Sequence, residues 1–234
     1  MDQVKVCIDI GNTSSKAGIF DDEGHLYEYI KPFTAEHFKL IRDKAVSILV
    51  SKTGSNAALE ALLKKDDYLR PNTPLPIGLD YHTPETLGAD RIAAAVGAHA
   101  IDQHADWLVI DIGTCLTLDF VNDKTFQGGM ISPGIPMRFA AMNQLTASLP
   151  LVSFDNTVQF PGKTTHESMQ VGVYQSMKYE ILGYINHLNA QHKNLKVVFC
   201  SDHIMDFDKV IKNQIFARPN LVLEGLHFIL QHNA

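Results

Sequence analysis

The sequence predicts an α/β protein built from two similar halves, and two features of the 234-residue chain indicate this. An apolar run that ends in Asp-Ile-Gly and is followed by a threonine occurs twice, in Val6–Thr13 and in Leu108–Thr114. Each run opens a series of three short apolar segments separated by turn residues, and predicted helices follow each series. Two such series in the same order predict a duplicated fold.

The Asp-Ile-Gly segments also predict a phosphate site between the two halves. An apolar run that ends in a carboxylate and a glycine is typical of a buried strand followed by a tight turn. The glycine lets the backbone approach a phosphate, and the threonine hydroxyl and nearby N–H groups can donate to phosphate oxygens. Asp9 and Asp111 can each hold a cation, although a single carboxylate there is also typical of an Asx turn. The repetition favours a nucleotide bound between the halves.

The first half is predicted to contain an antiparallel three-stranded meander, a helix, a fourth strand and a second helix. The turn Asp21–Gly24 separates two strands of the meander, and leucines at helical spacing indicate the second helix. The predicted elements are strands Val4–Ile10, Ser15–Phe20 and Leu26–Ile30, helix Ala35–Arg42, strand Val46–Val50 and helix Asn56–Lys65. A proline-rich connection, Tyr68–Glu85, follows.

The second half repeats the meander after a helix that is rich in small residues. Those residues, in Ala93–Gly97, allow another helix to approach closely, either in the core or in a dimer. The predicted elements are helix Leu87–Ile101, strands Trp107–Ile112, Cys115–Val121 and Thr125–Ile131, a helix after Pro133-Gly134, helix Thr165–Gln191, strand Lys196–Cys200 and helix Leu221–His232. Thr146–Lys163 is predicted to be irregular. The predicted domains are residues 1–104 and 105–234.

Composition argues against several classes of partner. The net charge of -6 gives no reason to expect nucleic acid or an anionic membrane surface. No apolar run approaches the roughly 18 residues of a membrane helix, and no basic segment before an apolar stretch indicates a signal peptide. The three cysteines lie far apart without the spacing of a metal or disulfide framework. We therefore expect a cytoplasmic protein.

Four segments together give the chain a specific resemblance. They occur in the same order and spacing as in one enzyme family: Asp9-Ile10-Gly11-Asn12-Thr13 with Lys16; Gly88-Ala89-Asp90-Arg91 with Tyr81, Pro84 and Leu87; Asp111-Ile112-Gly113-Thr114 with Gly128-Gly129 and Pro133-Gly134-Ile135; and Gly162–Thr165 with Glu167–Met169 and Gly172. The chain resembles the type III pantothenate kinases, which belong to the superfamily of acetate and sugar kinases, heat-shock chaperones and actin.

The resemblance implies a fold, a reaction and cofactors. The fold would be two ribonuclease-H-like (actin-like ATPase) domains, each a mixed sheet with helices on both faces. The reaction would be ATP-dependent phosphorylation of pantothenate to 4'-phosphopantothenate, the first step of coenzyme A biosynthesis. The cofactors would be Mg²⁺ with ATP and a monovalent cation, K⁺ or NH₄⁺. The assembly would be a homodimer with pantothenate near the subunit interface.

The resemblance also assigns site residues. Asp90 would be the catalytic base, Asp9 would bind Mg²⁺ through water, and Asp111 would bind the monovalent cation. ATP and phosphate binding is expected for Asp9, Gly11, Asn12, Thr13, Lys16, Gly113 and Thr114. Pantothenate binding is expected for Tyr81, Gly88, Ala89, Asp90, Arg91 and Thr165.

Read as residues alone, several of these positions have ordinary structural alternatives. Asp90 could instead cap the following helix, and Thr165 could cap the long one. Lys16 could point to solvent by strand alternation. Arg91 could pair with the acceptor carboxylate, orient Asp90, or form an ion pair with another acidic residue. Tyr81 could simply pack on the surface.

One segment departs from the family pattern. Where the family usually has Thr-Gly-Gly after the penultimate strand, this chain has Cys200-Ser201-Asp202-His203. The missing glycines predict looser ATP binding or another phosphoryl donor. Two rival functions are therefore a kinase of another small acceptor and a non-catalytic accessory protein, since relatives of the family include proteins described as transcriptional accessory factors.

Overall fold

Two mixed β-sheets form the framework of the chain in a computed structural model that describes residues 3–201 and 215–234. The first sheet has the strand order β3-β2-β1-β4. Its strands are β1 (Val4–Ile10), β2 (Ser15–Phe20), β3 (Leu26–Ile30) and β4 (Ala45–Lys52). The first three strands are antiparallel neighbours, and β4 runs parallel to β1. The predicted first meander is therefore confirmed.

The second sheet repeats this arrangement and extends it. Its strands are β5 (Gly78–Leu79), β6 (Asp106–Ile112), β7 (Cys115–Asn122), β8 (Thr125–Pro133), β9 (Leu195–Phe199) and β10 (Ile215–Ala217), in the order β10-β9-β6-β7-β8-β5. The meander β6-β7-β8 is antiparallel, whereas β9 and β5 run parallel to their neighbours β6 and β8. Both sheets are thus mixed, as expected.

Helices cover both faces of each sheet. They are α1 (Ala35–Ile41), α2 (Ala57–Glu60), α3 (Ala89–Ile101), α4 (Ile135–Gln144), α5 (Thr165–Asn189) and α6 (Leu221–His232). Phe33, Phe38 of α1 and Leu59 of α2 pack on the outer face of the first sheet. Helices α4 and α5 pack on the outer face of the second sheet. Helices α3 and α6 share a central core with residues from both sheets. The expected two-part actin-like fold is confirmed.

Strand alternation divides β6 between two cores. Leu108 and Ile110 face α4 and α5, whereas Trp107 and Val109 face α3 and α6. Successive side chains of a strand point to opposite faces of its sheet, so α3 and α5 lie on opposite faces of the second sheet. Asp111 continues the series that faces α3. This placement positions the acidic residues described below.

Helices α3 and α6 cross unusually closely. A Cβ atom at Gly97 would lie 2.6 Å from the carbonyl oxygen of Leu221, and one at Gly225 would overlap the carbonyl oxygen of Ala93. The small residues of α3 therefore serve the core of this chain, with α6 as their partner.

Two local expectations were wrong. The helix expected over Asn56–Lys65 is only α2, because Leu62 and Leu63 donate their N–H groups to carbonyls three residues back, and Arg42 donates to the Leu62 carbonyl oxygen at 2.6 Å. The proline-rich connection contains the short strand β5, which pairs with β8.

The two halves exchange elements. Strand β5 joins the second sheet, and the C-terminal helix α6 packs against β1, β2 and β4 of the first sheet. The domain boundary at residue 104 stays a prediction. None of the helices in residues 3–201 and 215–234 is long and apolar enough to cross a membrane.

Candidate active site

The two Asp-Ile-Gly turns meet at one end of the central core. After β1, the Gly11 N–H donates to the Ser14 carbonyl oxygen at 3.2 Å, and after β6, the Gly113 N–H donates to that of Cys115 at 2.9 Å. The hydroxyl oxygens of Thr13 and Thr114 are 3.0 Å apart, although the residues are 101 positions apart in sequence. Asn12, Thr13, Gly113 and Thr114 are all exposed. The geometry brings the two motifs into contact at the protein surface.

A glycine supports each turn from behind. Gly54 donates its N–H to the Ile10 carbonyl oxygen at 2.8 Å. A Cβ atom on Gly54 would lie 2.7 Å from the Asn12 nitrogen and overlap the Gly11 carbonyl. Gly134 has the same relation to the second turn, since its Cβ would overlap the carbonyls of Gly113 and Thr114. The role of Gly54 was not predicted from the sequence. The one indication was its position, four residues after the predicted strand Val46–Val50.

Lys16 faces the site. It is the β-ladder partner of Asp9, and its Nζ lies 3.5 Å from Asp9 Oδ2. Because Lys16 also lowers the pKa of Asp111, its ammonium group acts on the carboxylates of both motifs. The alternative of a solvent-directed lysine is wrong.

The carboxylates around Lys16 repel one another. Burial is the main factor that raises the pKa of Asp111 to about 6, and Asp90, Asp9 and Asp119 add to that increase. Burial and the negative charge of Asp9 likewise raise the pKa of Asp90. A cluster of this kind attracts cations and holds carboxyl groups ready to accept protons.

Asp90 lies in the first turn of α3 but does not cap it. Gly88 is the N-cap residue, so Asp90 is the second residue of the helix. Its Oδ1 accepts the Arg91 N–H at 2.8 Å, and a Cβ atom on Gly88 would lie 2.6 Å from that oxygen. The N-cap interpretation is therefore wrong. Because Oδ1 holds the backbone, Oδ2 is the oxygen that can receive a proton.

The guanidinium of Arg91 forms a buried ion pair with Asp119. Nε donates to Oδ1 and Oδ2 at 2.9 and 3.1 Å, and Nη2 also donates to Oδ1. Of the alternatives for Arg91, an ion pair with another acidic residue is therefore present. Asp119 was missed in the sequence analysis, although an acidic residue inside the apolar strand β7 was a usable signal.

Tyr81 borders this ion pair. Its ring meets the ring of Phe126 edge-on, with centroids 5.9 Å apart, and lies against the backbone of Gly128. Burial alone would lower the pKa of Arg91, but the hydrogen bonds and charge of Asp119 raise it, and the Tyr81 phenol adds to that increase. The tyrosine is half-buried rather than loosely packed on the surface.

Thr165 lies elsewhere. It is the first residue of α5, and its neighbour Thr164 caps the helix by accepting the Glu167 N–H at 3.1 Å. The capping alternative for Thr165 is therefore wrong. Thr165 is exposed and borders an open cleft of about 620 Å³ together with Met142, Leu149, Lys163, Ser168 and Met169. Helices α5 and α3 pack on opposite faces of the second sheet.

The segment that departs from the family pattern begins at the end of β9. Cys200 is buried, and burial followed by the charge of Asp111 raises the pKa of its thiol well above the usual range. Asp202 and His203 lie outside the described residues.

Comparison with known proteins identifies the family. A family model described as type III pantothenate kinase matches residues 5–187. The chain belongs to the type III pantothenate kinase family. This is a family of phosphotransferases.

Relatives in the type III pantothenate kinase family match along nearly the whole chain. Type III pantothenate kinase from Phocaeicola vulgatus is 38% identical over 98% of this chain and 99% of its own length. The protein of that name from Cytophaga hutchinsonii is 36% identical over 98% of this chain and 100% of its own length.

Among solved structures, likeness at lower identity supports the fold alone. A protein from Campylobacter jejuni, provisionally assigned to the Baf family of transcriptional activators, has a TM-score of 0.60 at 22% identity, covering 97% of this chain and 98% of its own. Component A of (R)-2-hydroxyglutaryl-CoA dehydratase from Acidaminococcus fermentans has a TM-score of 0.55 at 15% identity, covering 98% and 97%.

The Mg²⁺ expected with ATP fits the residues of this type III pantothenate kinase family member. Oδ1 of Asp9 is buried and has no hydrogen-bond partner among the described residues. An unpaired buried carboxylate oxygen is costly in free energy, and a water bound to Mg²⁺ would satisfy it. Within residues 3–201 and 215–234, no three His, Cys, Asp or Glu side chains are arranged to hold a metal by themselves.

Proposed function

We propose that this chain transfers the γ-phosphoryl group of ATP to the primary hydroxyl of pantothenate and forms 4'-phosphopantothenate for coenzyme A biosynthesis. One observation carries the proposal: the two hydroxyl-bearing turns, joined by Thr13 and Thr114, lie within electrostatic reach of the carboxylate of Asp90. Phosphoryl transfer needs such an arrangement, because catalysis depends on positioned phosphates and an acceptor for the hydroxyl proton. Membership of the type III pantothenate kinase family supports pantothenate as the acceptor.

The turns would hold the phosphates. The N–H group of Asn12 and the hydroxyls of Thr13 and Thr114 are donors, and these three residues are exposed. Gly11 and Gly113, whose N–H groups close their own turns, would let the phosphates approach the backbone. Lys16 would neutralise part of the phosphate charge from the adjoining strand. ATP would separate the hydroxyls of Thr13 and Thr114 that now contact each other.

Asp90 would accept the hydroxyl proton of pantothenate on Oδ2. A general base works best when its pKa approaches the working pH, and the raised pKa of Asp90 supports that role. Gly88, Ala89, Tyr81 and Arg91 surround this residue in sequence or space and would form the pantothenate side of the cleft.

Two cations would complete the site. Asp9 would hold hydrated Mg²⁺ through its unpaired Oδ1, and Asp111 would hold K⁺ or NH₄⁺. Bound Mg²⁺ supplies neutralisation of phosphate charge during transfer. The raised pKa of Asp111 supports a cation there, because a nearby positive charge would favour its ionised form.

The assembly is proposed to be a homodimer in the cytoplasm, with neither nucleic acid nor membrane as a partner. Two features support the dimer. Thr165 is exposed on the far face of the second sheet from Asp90, and several large apolar side chains are exposed around α4 and α5, among them Leu145, Phe160 and Tyr179. A second copy would cover these side chains and bring its Thr165 towards pantothenate.

The decisive experiment measures ATP-dependent phosphorylation of pantothenate with Mg²⁺, first in K⁺ and then in Na⁺. Turnover that depends on K⁺ is the expected result and supports the cation site at Asp111. Absence of turnover in both salts, with folded protein and high ATP, would reject the proposal. Screens of other acceptors and donors would then separate another kinase from an accessory protein.

A further inference from the structure

The pair formed by Arg91 and Asp119 is among the most buried charged contacts in the described residues. Asp119 is 1% exposed and Arg91 is 8% exposed. The guanidinium carbon of Arg91 lies 5.8 Å from the centroid of the Phe126 ring, and Tyr81 lies beside it. Phe126 and Tyr81 therefore enclose the guanidinium, and Asp119 supplies its counter-charge.

The backbone is adapted to this carboxylate. Asp119 is paired with Gly129 in the β7-β8 ladder. A Cβ atom on Gly129 would lie 2.6 Å from Asp119 Oδ1 and would overlap the Leu118 carbonyl oxygen. Only glycine leaves the space that Asp119 needs, so the Gly128-Gly129 pair of the family pattern has a physical role in placing a carboxylate.

Asp119 also selects which part of the guanidinium remains available. A guanidinium has five N–H donors in a planar fork, and Asp119 binds the edge that carries Nε and Nη2. The Nη1 end is turned away from Asp119. Arg91 follows Asp90 directly in the first turn of α3. An interaction that fixes the position of Arg91 therefore also restrains Asp90, the proposed base.

We propose that Asp119 is a positioning residue for the acceptor side of the site. It holds Arg91 so that the Nη1 end stays available to the carboxylate of the acceptor and the carboxylate of Asp90 stays free for the hydroxyl proton. This inference rests on the proposed function. Without Asp119, a buried guanidinium would lose its counter-charge, and the neighbouring carboxylate of Asp90 would become its replacement partner.

The test compares three variants in steady-state kinetics. Asp119→Asn keeps the size and removes the charge, and Asp119→Glu keeps the charge but displaces it by one methylene. Asp106→Asn is the matched control, because Asp106 is also ion-paired, to His192 at 3.2 Å, but at the opposite end of β6 from Asp111. Thermal unfolding of each variant accompanies the kinetics.

We expect kcat/KM for pantothenate to fall by about 10-fold or more in both Asp119 variants, while KM for ATP stays within about 2-fold. Asp106→Asn should keep wild-type kinetics. Wild-type kcat/KM in Asp119→Glu would show that the exact position of the carboxylate does not matter, and it would overturn the proposal even if Asp119→Asn does not fold. Unchanged kinetics in a folded Asp119→Asn would also overturn the proposal for Asp119. The proposed function would stand in either case, provided that the unsubstituted protein phosphorylates pantothenate.

Discussion

At the scale of single residues, the main feature is a cluster of four carboxylates and two cationic side chains at one end of the central core. Among residues 3–201 and 215–234, the cationic side chains beside Asp9, Asp90, Asp111 and Asp119 are those of Lys16 and Arg91. Burial, together with the charge of neighbouring carboxylates, raises the pKa values of Asp90, Asp111 and Asp119. Each carboxylate also has a different local partner. Oδ1 of Asp90 is bound to backbone, whereas Asp119 is bound to a guanidinium, so the two are suited to different roles.

Asp90→Asn should abolish most turnover without unfolding the chain. We expect kcat to fall by about 10²- to 10⁴-fold, the usual contribution of a general base. The amide oxygen of Asn can still accept the Arg91 N–H, so the melting temperature should change little. Steady-state kinetics and thermal unfolding measure the two effects.

The matched control is Asp66→Asn, since Asp66 is an exposed carboxylate paired with Arg70. It should keep full activity. Undiminished kcat in Asp90→Asn would remove Asp90 from the role of base.

His227 makes stability depend on pH. Burial, with a smaller effect of Lys5, lowers its pKa to about 4, while Asp21 acts in the opposite direction. Both ring nitrogens are buried and have no hydrogen-bond partner in the part of the chain that the structure describes. The ring stacks on that of Phe20, with centroids 4.2 Å apart. A histidine in the unfolded chain has a pKa of about 6.5. Between pH ~4 and pH ~6.5, therefore, His227 binds a proton in the unfolded chain but not in the folded chain. Stability is therefore full above pH ~6.5 and falls as the pH approaches ~4.

His227→Phe should remove this dependence. Between pH 7 and pH 4.5 we expect the wild type to lose on the order of 2 kcal/mol more of its free energy of unfolding than the variant, which is the contribution of His227 alone. Urea unfolding at both pH values measures the difference. His82→Phe is the control at an exposed histidine. Equal pH dependence in wild type and His227→Phe would contradict the assignment.

At the scale of elements, glycines determine how closely turns and helices approach. Gly54→Ala should displace the first phosphate turn, because the new Cβ would meet backbone atoms of Gly11 and Asn12 that cannot move independently. We expect kcat/KM for ATP to fall about 10-fold or more. The control, Gly183→Ala in α5, has no atom within 4 Å of its new Cβ and should stabilise the helix by roughly 0.5–1 kcal/mol. Unchanged ATP kinetics in Gly54→Ala would contradict the supporting role of this glycine.

Gly225→Ala should separate α6 from α3. The added methyl group would overlap the Ala93 carbonyl oxygen, so the helices must move apart and leave gaps in the central core. Overpacking of this kind destabilises by about 1–3 kcal/mol. Chemical denaturation measures the loss, and a free energy of unfolding equal to wild type would show that the crossing is not as close as described.

The elements also show where sequence patterns predict structure well. Strands β1, β2 and β3 match the expected bounds because each is a short apolar run enclosed by turn residues. The helix expected over Asn56–Lys65 failed because Arg42, distant in sequence, takes the Leu62 carbonyl. Strand β5 is two residues long and exists only by pairing with β8, so no local pattern could indicate it.

At the scale of the whole molecule, the site motifs were predictable and their completion was not. The two Asp-Ile-Gly segments predicted a duplicated fold with a phosphate site, because each contains the glycine and threonine that a phosphate-binding turn needs. Asp119 and Gly54 depend on packing between elements distant in sequence, and neither has a distinctive local motif. Thr165 as a contact of pantothenate stays a prediction, and the helix that it begins packs on the opposite face of the second sheet from α3.

A shared site in the proposed homodimer predicts complementation. Asp90→Asn and Thr165→Ala should each lose activity alone, but mixed dimers contain one site in which neither substitution is present. Random mixing should restore about one quarter of wild-type activity, because half of the dimers are mixed and each has one intact site. Refolding the two variants together, followed by kinetics and sedimentation, tests this. Mixed dimers with no activity above the separate variants would place Thr165 outside the partner's site.

The position of α6 has a consequence for protein synthesis. Its residues Leu226 and Ile229 share the central core with Cys7, Phe20 and Leu49 of the first sheet. During translation these early strands emerge long before residues 221–232, so the nascent chain presents an uncovered sheet face until the helix leaves the ribosome. The core between α6 and the first sheet therefore forms late in synthesis, after the strands that it covers.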